Sequence, residues 1–117
     1  MQNYKDLKVW EKGHHFTLQV YRVTEYFPKT ETYGITNQLR RAAASIPANI
    51  AEGCGKLTKP DFANFLNIAL GSSNESEYYL LLAKDLNYFA VENYEVMIKE
   101  INEIKAMLIG LIGKVRG

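Results

Sequence analysis

The sequence of 117 residues predicts an all-α protein: a single domain, residues 1–117, folded as an antiparallel up-down-up-down four-helix bundle. Three observations carry that prediction. Apolar residues recur at helical spacing along four long segments. Chain breakers gather in three places, Pro28–Gly34, Gly53–Pro60 and Leu86–Glu92. No segment of useful length alternates with period two between turn signals, so none reads as a strand. Helices of roughly 20–28 residues, rising ~1.5 Å per residue, each span about 30–40 Å. Short connections between such helices make chain neighbours antiparallel.

The first helix is expected from about Asp6, as its cap, to Phe27, with Pro28 ending it. It carries two apolar rows, Leu7-Trp10-His14-Thr17-Tyr21-Thr24 and Val9-Gly13-Phe16-Val20-Val23-Phe27. Together they make a face broader than one partner helix needs, and hence a candidate interface. The second is expected from Ile35 to Gly53, with Leu39, Ala42, Ala43, Ile46 and Ile50 inward. Pro47 crowds the carbonyl of Ala43 and predicts a bend, and Gly53 and Gly55 suit a stop with positive φ. Thr58-Lys59-Pro60-Asp61 opens the third helix: Thr58 caps, Pro60 sits where its missing N–H costs little, and Asp61 favours the positive helix end. Its core row is Phe62, Leu66, Ala69, Ser73, Ser76, Leu80 and Ala83, ending near Tyr88. The fourth runs from Glu92 to Val115 on Tyr94, Ile98, Ile101, Ile104, Leu108, Ile112 and Val115.

The totals narrow the function. A net charge of +1 sets up no global field toward nucleic acid or an anionic membrane. Yet residues 1–59 carry +4 and residues 60–117 carry −3, so the front half suits an acidic partner, including another copy's back half. No apolar run is long enough to span a bilayer. The single cysteine, Cys54, excludes an internal disulfide and has no adjacent base, and the N-terminus has no signal-peptide core. These features point to the cytoplasm.

Polar residues of the second helix, Gln38, Arg41, Ser45, Asn49 and Glu52, fall within roughly 80° of one another. Such a stripe beside an apolar row suits a helix seam or a subunit interface. Gln38, Ser45, Asn49 and Glu52 are therefore the candidate interface. With the turn centred near Lys56, Arg40 and Arg41 lie level with Ser72 to Glu75, which predicts an ion pair between Glu75 and one of these arginines. Lys5, Lys8, Lys12, Arg40, Lys56 and Lys59 are candidate nucleic-acid contacts, a thin patch that repetition around an oligomer would multiply. His14 and His15 point ~100° apart and cannot share one metal. No metal, phosphate-loop or nucleophile motif is present, so no cofactor, catalytic residue or small-molecule substrate is expected.

DLKVW near the start, FPKTETYGITNQLRRAAASIPANIAEG, and FANFLNIALGSSNESEYYLLLAKDLNY together resemble the bacterial 23S rRNA-intervening-sequence proteins over about residues 4–90. The motifs Q-L-R-R-A, S-I-P-x-N-I-A-E-G and A-x-G-S-x-x-E carry the likeness. It maps the family's motif residues onto Arg40, Arg41, Ser45, Pro47, Asn49, Glu52, Gly53, Gly71, Ser72 and Glu75. Ser73 and Ser76 stand where leucines are expected. The resemblance implies a homopentamer of four-helix bundles, with kinship to retroelement accessory proteins that contact nucleic acid and a reverse transcriptase. It implies no catalytic activity.

Overall fold

The computed structural model describes residues 2–117. Four helices, α1 (Lys8–Thr24), α2 (Ile35–Cys54), α3 (Lys59–Asp85) and α4 (Val91–Arg116), pack α1 on α2, α2 on α3, α3 on α4 and α4 back on α1. The bundle measures 43 × 24 × 20 Å. No strand occurs among the described residues.

Local chemistry sets most of the boundaries. Thr58 caps α3 as its sequence predicts, its hydroxyl accepting from the Asp61 amide at 3.2 Å. At the other end of α3, Asn87 takes a positive φ of 61°. Its amide bonds Lys84 O and that of Tyr88 bonds Ala83 O, a Schellman closure that satisfies the last carbonyls. Asp6 is not the cap of α1. It ends a 3-10 turn, Tyr4–Asp6, whose own cap is Asn3, and α1 starts one residue after Leu7 without a side-chain cap. The helix also stops at Thr24, three residues short of Phe27, which is still buried.

The core is built from Phe16, Val20, Leu39, Ile46, Ile50, Leu66, Leu80, Met97, Ile101, Ile104 and Leu108, all essentially without solvent contact. Of the two rows on α1, the Val9 row supplies this core. The Leu7 row lies along its flank, where His14 and Tyr21 are exposed. Ser73 and Ser76 are fully buried, and their hydroxyls donate back to Ala69 O (2.9 Å) and Ser72 O (2.8 Å). Small satisfied side chains thus replace bulk at the centre of α3 without leaving a polar atom unpaired.

Two glycines permit close helix contact rather than unusual backbone. A Cβ on Gly53 would lie 2.9 Å from Phe65 Cβ and 3.0 Å from Phe62 Cδ1, so α2 and α3 meet there. No glycine among the described residues has a positive φ, which corrects the expected left-handed stop at Gly53 and Gly55. A Cβ on Gly13 would meet Ile46 Cγ2 at 3.2 Å, so α1 leans on α2 beside Pro47. Pro47 has no N–H for the carbonyl of Ala43. That carbonyl lies 3.0 Å from the Thr17 hydroxyl of α1, which is also 2.8 Å from Gly13 O. The proline therefore does double service: it frees an acceptor in α2 and α1 supplies the donor.

Candidate functional site

Arg40 and Arg41 leave α2 in different directions, as ~100° per residue requires. Arg40 turns to α1. Its Nε donates to Thr24 Oγ1 at 2.8 Å, one terminal nitrogen donates to Tyr21 O at 3.4 Å, and another contact reaches Glu25 at 3.8 Å. The guanidinium also sits 4.6 Å from the Tyr21 ring centroid, within cation–π range. Tyr21 and Thr24 lie in the last turn of α1 and Glu25 is the cap residue after it, where a cation also complements the helix dipole.

Arg41 is exposed on the outer side of α2, and Glu75 is exposed on α3. Neither enters an ion pair among the described residues, so the predicted bridge from Glu75 to Arg40 or Arg41 does not form. The level is nearly right: Ser45 and Ser72 are hydrogen-bonded at 2.9 Å and lie equally far from the Thr58–Lys59 step. The rotation is not. Arg40 is committed to α1, and Glu75 points into water, which solvates its charge and removes the need for an internal partner.

The polar stripe divides in two. Ser45 and Asn49 are half-buried in the α2–α3 seam, where Asn49 Nδ2 donates to Ser45 O (2.7 Å) and Ser45 Oγ (2.8 Å). Gln38 and Glu52 remain exposed, with Arg41 between them. Across the seam α3 presents exposed Ile68, Gly71 and Glu75. The result is a shallow face, small along its middle, with a cation on one helix and a carboxylate on the other.

The basic candidates also separate. Lys5, Lys8, Lys56 and Lys59 share one end of the bundle, because the segment before α1 is tied to the end of α2 by Gln2 N to Cys54 O at 3.1 Å. Lys12 pairs with Glu103 of α4 at 3.0 Å, and Arg40 lies toward the opposite end against Glu25. Sequence reasoning missed Thr17, Tyr21 and Thr24 as partners of α2. Pro47 signals that a carbonyl needs a donor, but no spacing within α2 says which helix provides it.

The remaining chemistry-bearing groups are held in structural roles. His14 stacks on Trp10, ring centroids 5.1 Å apart and planes 6° apart. His15 lies 3.2 Å from Gln19 Nε2, and Gln19 also donates to Glu100 at 3.3 Å across the α1–α4 seam. Burial there raises the Glu100 carboxyl above its ordinary range, against the lowering pull of His15 and Lys12. Cys54 is 2% exposed, and burial pushes its thiol up, which disfavours the nucleophilic thiolate. Tyr88 donates to Glu31 at 2.7 Å, and that hydrogen bond holds the phenol above its usual range. Among the described residues no group of three His, Cys, Asp or Glu side chains is placed to hold a metal ion, and no helix is long and apolar enough to cross a membrane.

The chain is similar to the model of one protein family, 23S rRNA-intervening sequence protein, over residues 5–110. It is also similar to the crystal structure of a protein of unknown function from the S23 ribosomal protein family of Bacteroides thetaiotaomicron, solved at 1.70 Å. The two share 32% identity with a TM-score of 0.83, covering 89% of this chain and 97% of that one. No curated protein matches this chain.

Proposed function

Because the chain belongs to the 23S rRNA-intervening sequence protein family, we propose that it is a non-enzymatic helical-bundle module that works by assembling with copies of itself. One observation supports this most: Arg41 and Glu75 stand level on the outer α2–α3 face, both exposed and both without an ion-pair partner among the described residues. A second copy supplies the complement to each. Between them the face is shallow enough for close approach, with Ser45, Ser72 and Gly71 along it and Ile68 at 45% exposure as an apolar contact. The α2 edge of one copy, with Arg41, meets the α3 edge of the next, with Glu75. These are two different surfaces, so the contact is heterologous, and it forms a ring when the rotation between copies closes. Five copies is the number that the family likeness implies.

The buried thiol of Cys54 and the stacked His14 favour the non-enzymatic side of this reading. Chemical crosslinking with mass spectrometry tests the interface. The expected product joins peptides containing the α2 and α3 outer face from two differently isotope-labelled copies. Crosslinks confined to single chains contradict the reading.

Nucleic-acid binding is the second reading. It is favoured by the gathering of Lys5, Lys8, Lys56 and Lys59 at one end of the bundle, where a ring would repeat them. Its mark is a shift assay with structured RNA or DNA in which affinity falls steeply with salt. No binding at low salt ends it.

A further inference from the structure

At that same end of the bundle a cleft of about 330 Å³ opens between the end of α2, the start of α3 and the last turn of α4. Phe62, Leu57 and Val115 give it an apolar wall, and Lys56, Lys59 and Lys114 line it. Among the described residues no carboxylate lines it, and none of the three lysines makes an ion pair. The Lys56 ammonium rests 5.0 Å from the Phe65 ring centroid instead. Leu57 is 85% exposed, an apolar side chain held in water at the lip.

Helix capping does not account for this arrangement. The last carbonyls of α2 already have donors: Glu52 O accepts from Gly55, Gly53 O from Lys56 and Cys54 O from Gln2. The dipole of α4 favours Lys114 in its last turn. The same rule disfavours Lys59, which sits at the positive start of α3. Three like charges lining a cleft with apolar walls focus a positive field into it, which favours an anion there.

We propose that this cleft binds a small organic anion, its apolar body against Phe62, Leu57 and Val115 and its carboxylate or phosphate among Lys56, Lys59 and Lys114. Size narrows the class. At ~30 Å³ per water-sized group the cleft holds about ten non-hydrogen atoms, the size of a medium-chain acyl carboxylate. The site is built within one chain, so it does not depend on assembly.

The test is a titration of isotope-labelled protein with octanoate, followed by amide resonances, with two controls: acetate, which lacks the apolar body, and 1-octanol, which lacks the charge. Octanoate is expected to saturate at about 1 mM or below and to move the resonances of residues 53–62 and 112–116. Lys59→Gln and Lys114→Gln, which touch no ion pair, are each expected to weaken it about 2–5-fold with the fold intact by circular dichroism. Acetate and 1-octanol are each expected to bind at least about 10-fold more weakly. The proposal fails if octanoate does not saturate by about 10 mM, if 1-octanol binds as well, or if the shifts lie elsewhere on the bundle. It also fails if a short RNA moves those resonances and octanoate does not, since the lysines then serve a polymer.

Discussion

The α1–α2 seam and the α2–α3 seam treat two adjacent arginines in opposite ways. Arg40 meets a ring, a hydroxyl, a carbonyl and a carboxylate of α1. Arg41, the next residue, stands in water level with an equally exposed Glu75. The α1–α2 seam is finished within one chain, down to the Thr17 hydroxyl that serves the carbonyl left open by Pro47. The α2–α3 seam is finished on its inner edge, where Gly53 meets Phe62 and Phe65, and open on its outer edge. A charge that the fold has already paired is a stability element. A pair of opposite charges left apart on one face is what the proposed assembly uses for recognition.

Mutations sharpen that contrast when stability is read at dilutions where the melt no longer moves with protein concentration. The largest effect is expected at the inner edge of α2–α3. Gly53→Val drives a branched side chain into Phe65 and should cost about 2–3 kcal/mol in urea unfolding. Gly71→Ala, with nothing within 4 Å of the added carbon, should instead gain up to ~1 kcal/mol of helix stability. Next comes the arginine pair. Arg40→Ala should cost about 1–2 kcal/mol through the lost ring contact and charged hydrogen bonds, and Arg41→Ala should stay within about 0.5 kcal/mol. Equal costs for the two would break the comparison. Thr17→Val should cost about 1 kcal/mol by leaving Ala43 O without its donor, and Thr17→Ser should recover most of it.

The smallest effect concerns pH and the α1–α4 seam. The folded state raises the Glu100 carboxyl, so the folded chain holds that proton more tightly than the unfolded one. Stability from this group is present at acid pH and is lost as pH rises from the ordinary carboxylate range through the raised folded value. Glu100→Gln should therefore raise the melting temperature slightly at pH 7, by ~1–3 °C, and leave it unchanged near pH 4. A lower melting temperature at pH 7 would show that the contact with Gln19 outweighs the burial of charge.

Much of this was legible in the residues. Periodicity placed the four helices and most of their inward residues, missing Ala63 and Met97 and placing the partly buried Phe62, Tyr94, Ile98 and Val115 inward, and Thr-Lys-Pro-Asp marked the start of α3 to the residue. The register of α2 against α3 came close: the expected centre near Lys56 lies within three residues of the Thr58–Lys59 step about which Ser45 and Ser72 pair, because the connection between the helices is short. Three features needed tertiary contacts. Gly53 reads as a turn residue beside Gly55, yet its job is close packing against Phe65. Asn87 carries the one positive φ of a described non-glycine residue, in a segment legible only as a break. Arg40 and Arg41 share a level with Glu75, but spacing along α2 gives level without saying which helix each side chain leans toward. Of the candidate interface stripe, Gln38 and Glu52 are exposed, and Ser45 and Asn49 are half-buried in the α2–α3 seam. The lysine-lined cleft was not legible, because Lys114 joins Lys56 and Lys59 only when α4 returns to that end.

The central claim is that the outer α2–α3 face joins copies of this chain through Arg41 and Glu75. Solution mass by light scattering at micromolar concentration tests it most directly, on the wild type, Arg41→Glu, Glu75→Arg and the double exchange. The account predicts an oligomeric wild type, five copies if the ring closes as the family likeness implies, a monomer for each single charge reversal, and an oligomer restored in the double exchange. A monomeric wild type, or single reversals that leave the mass unchanged, would contradict it.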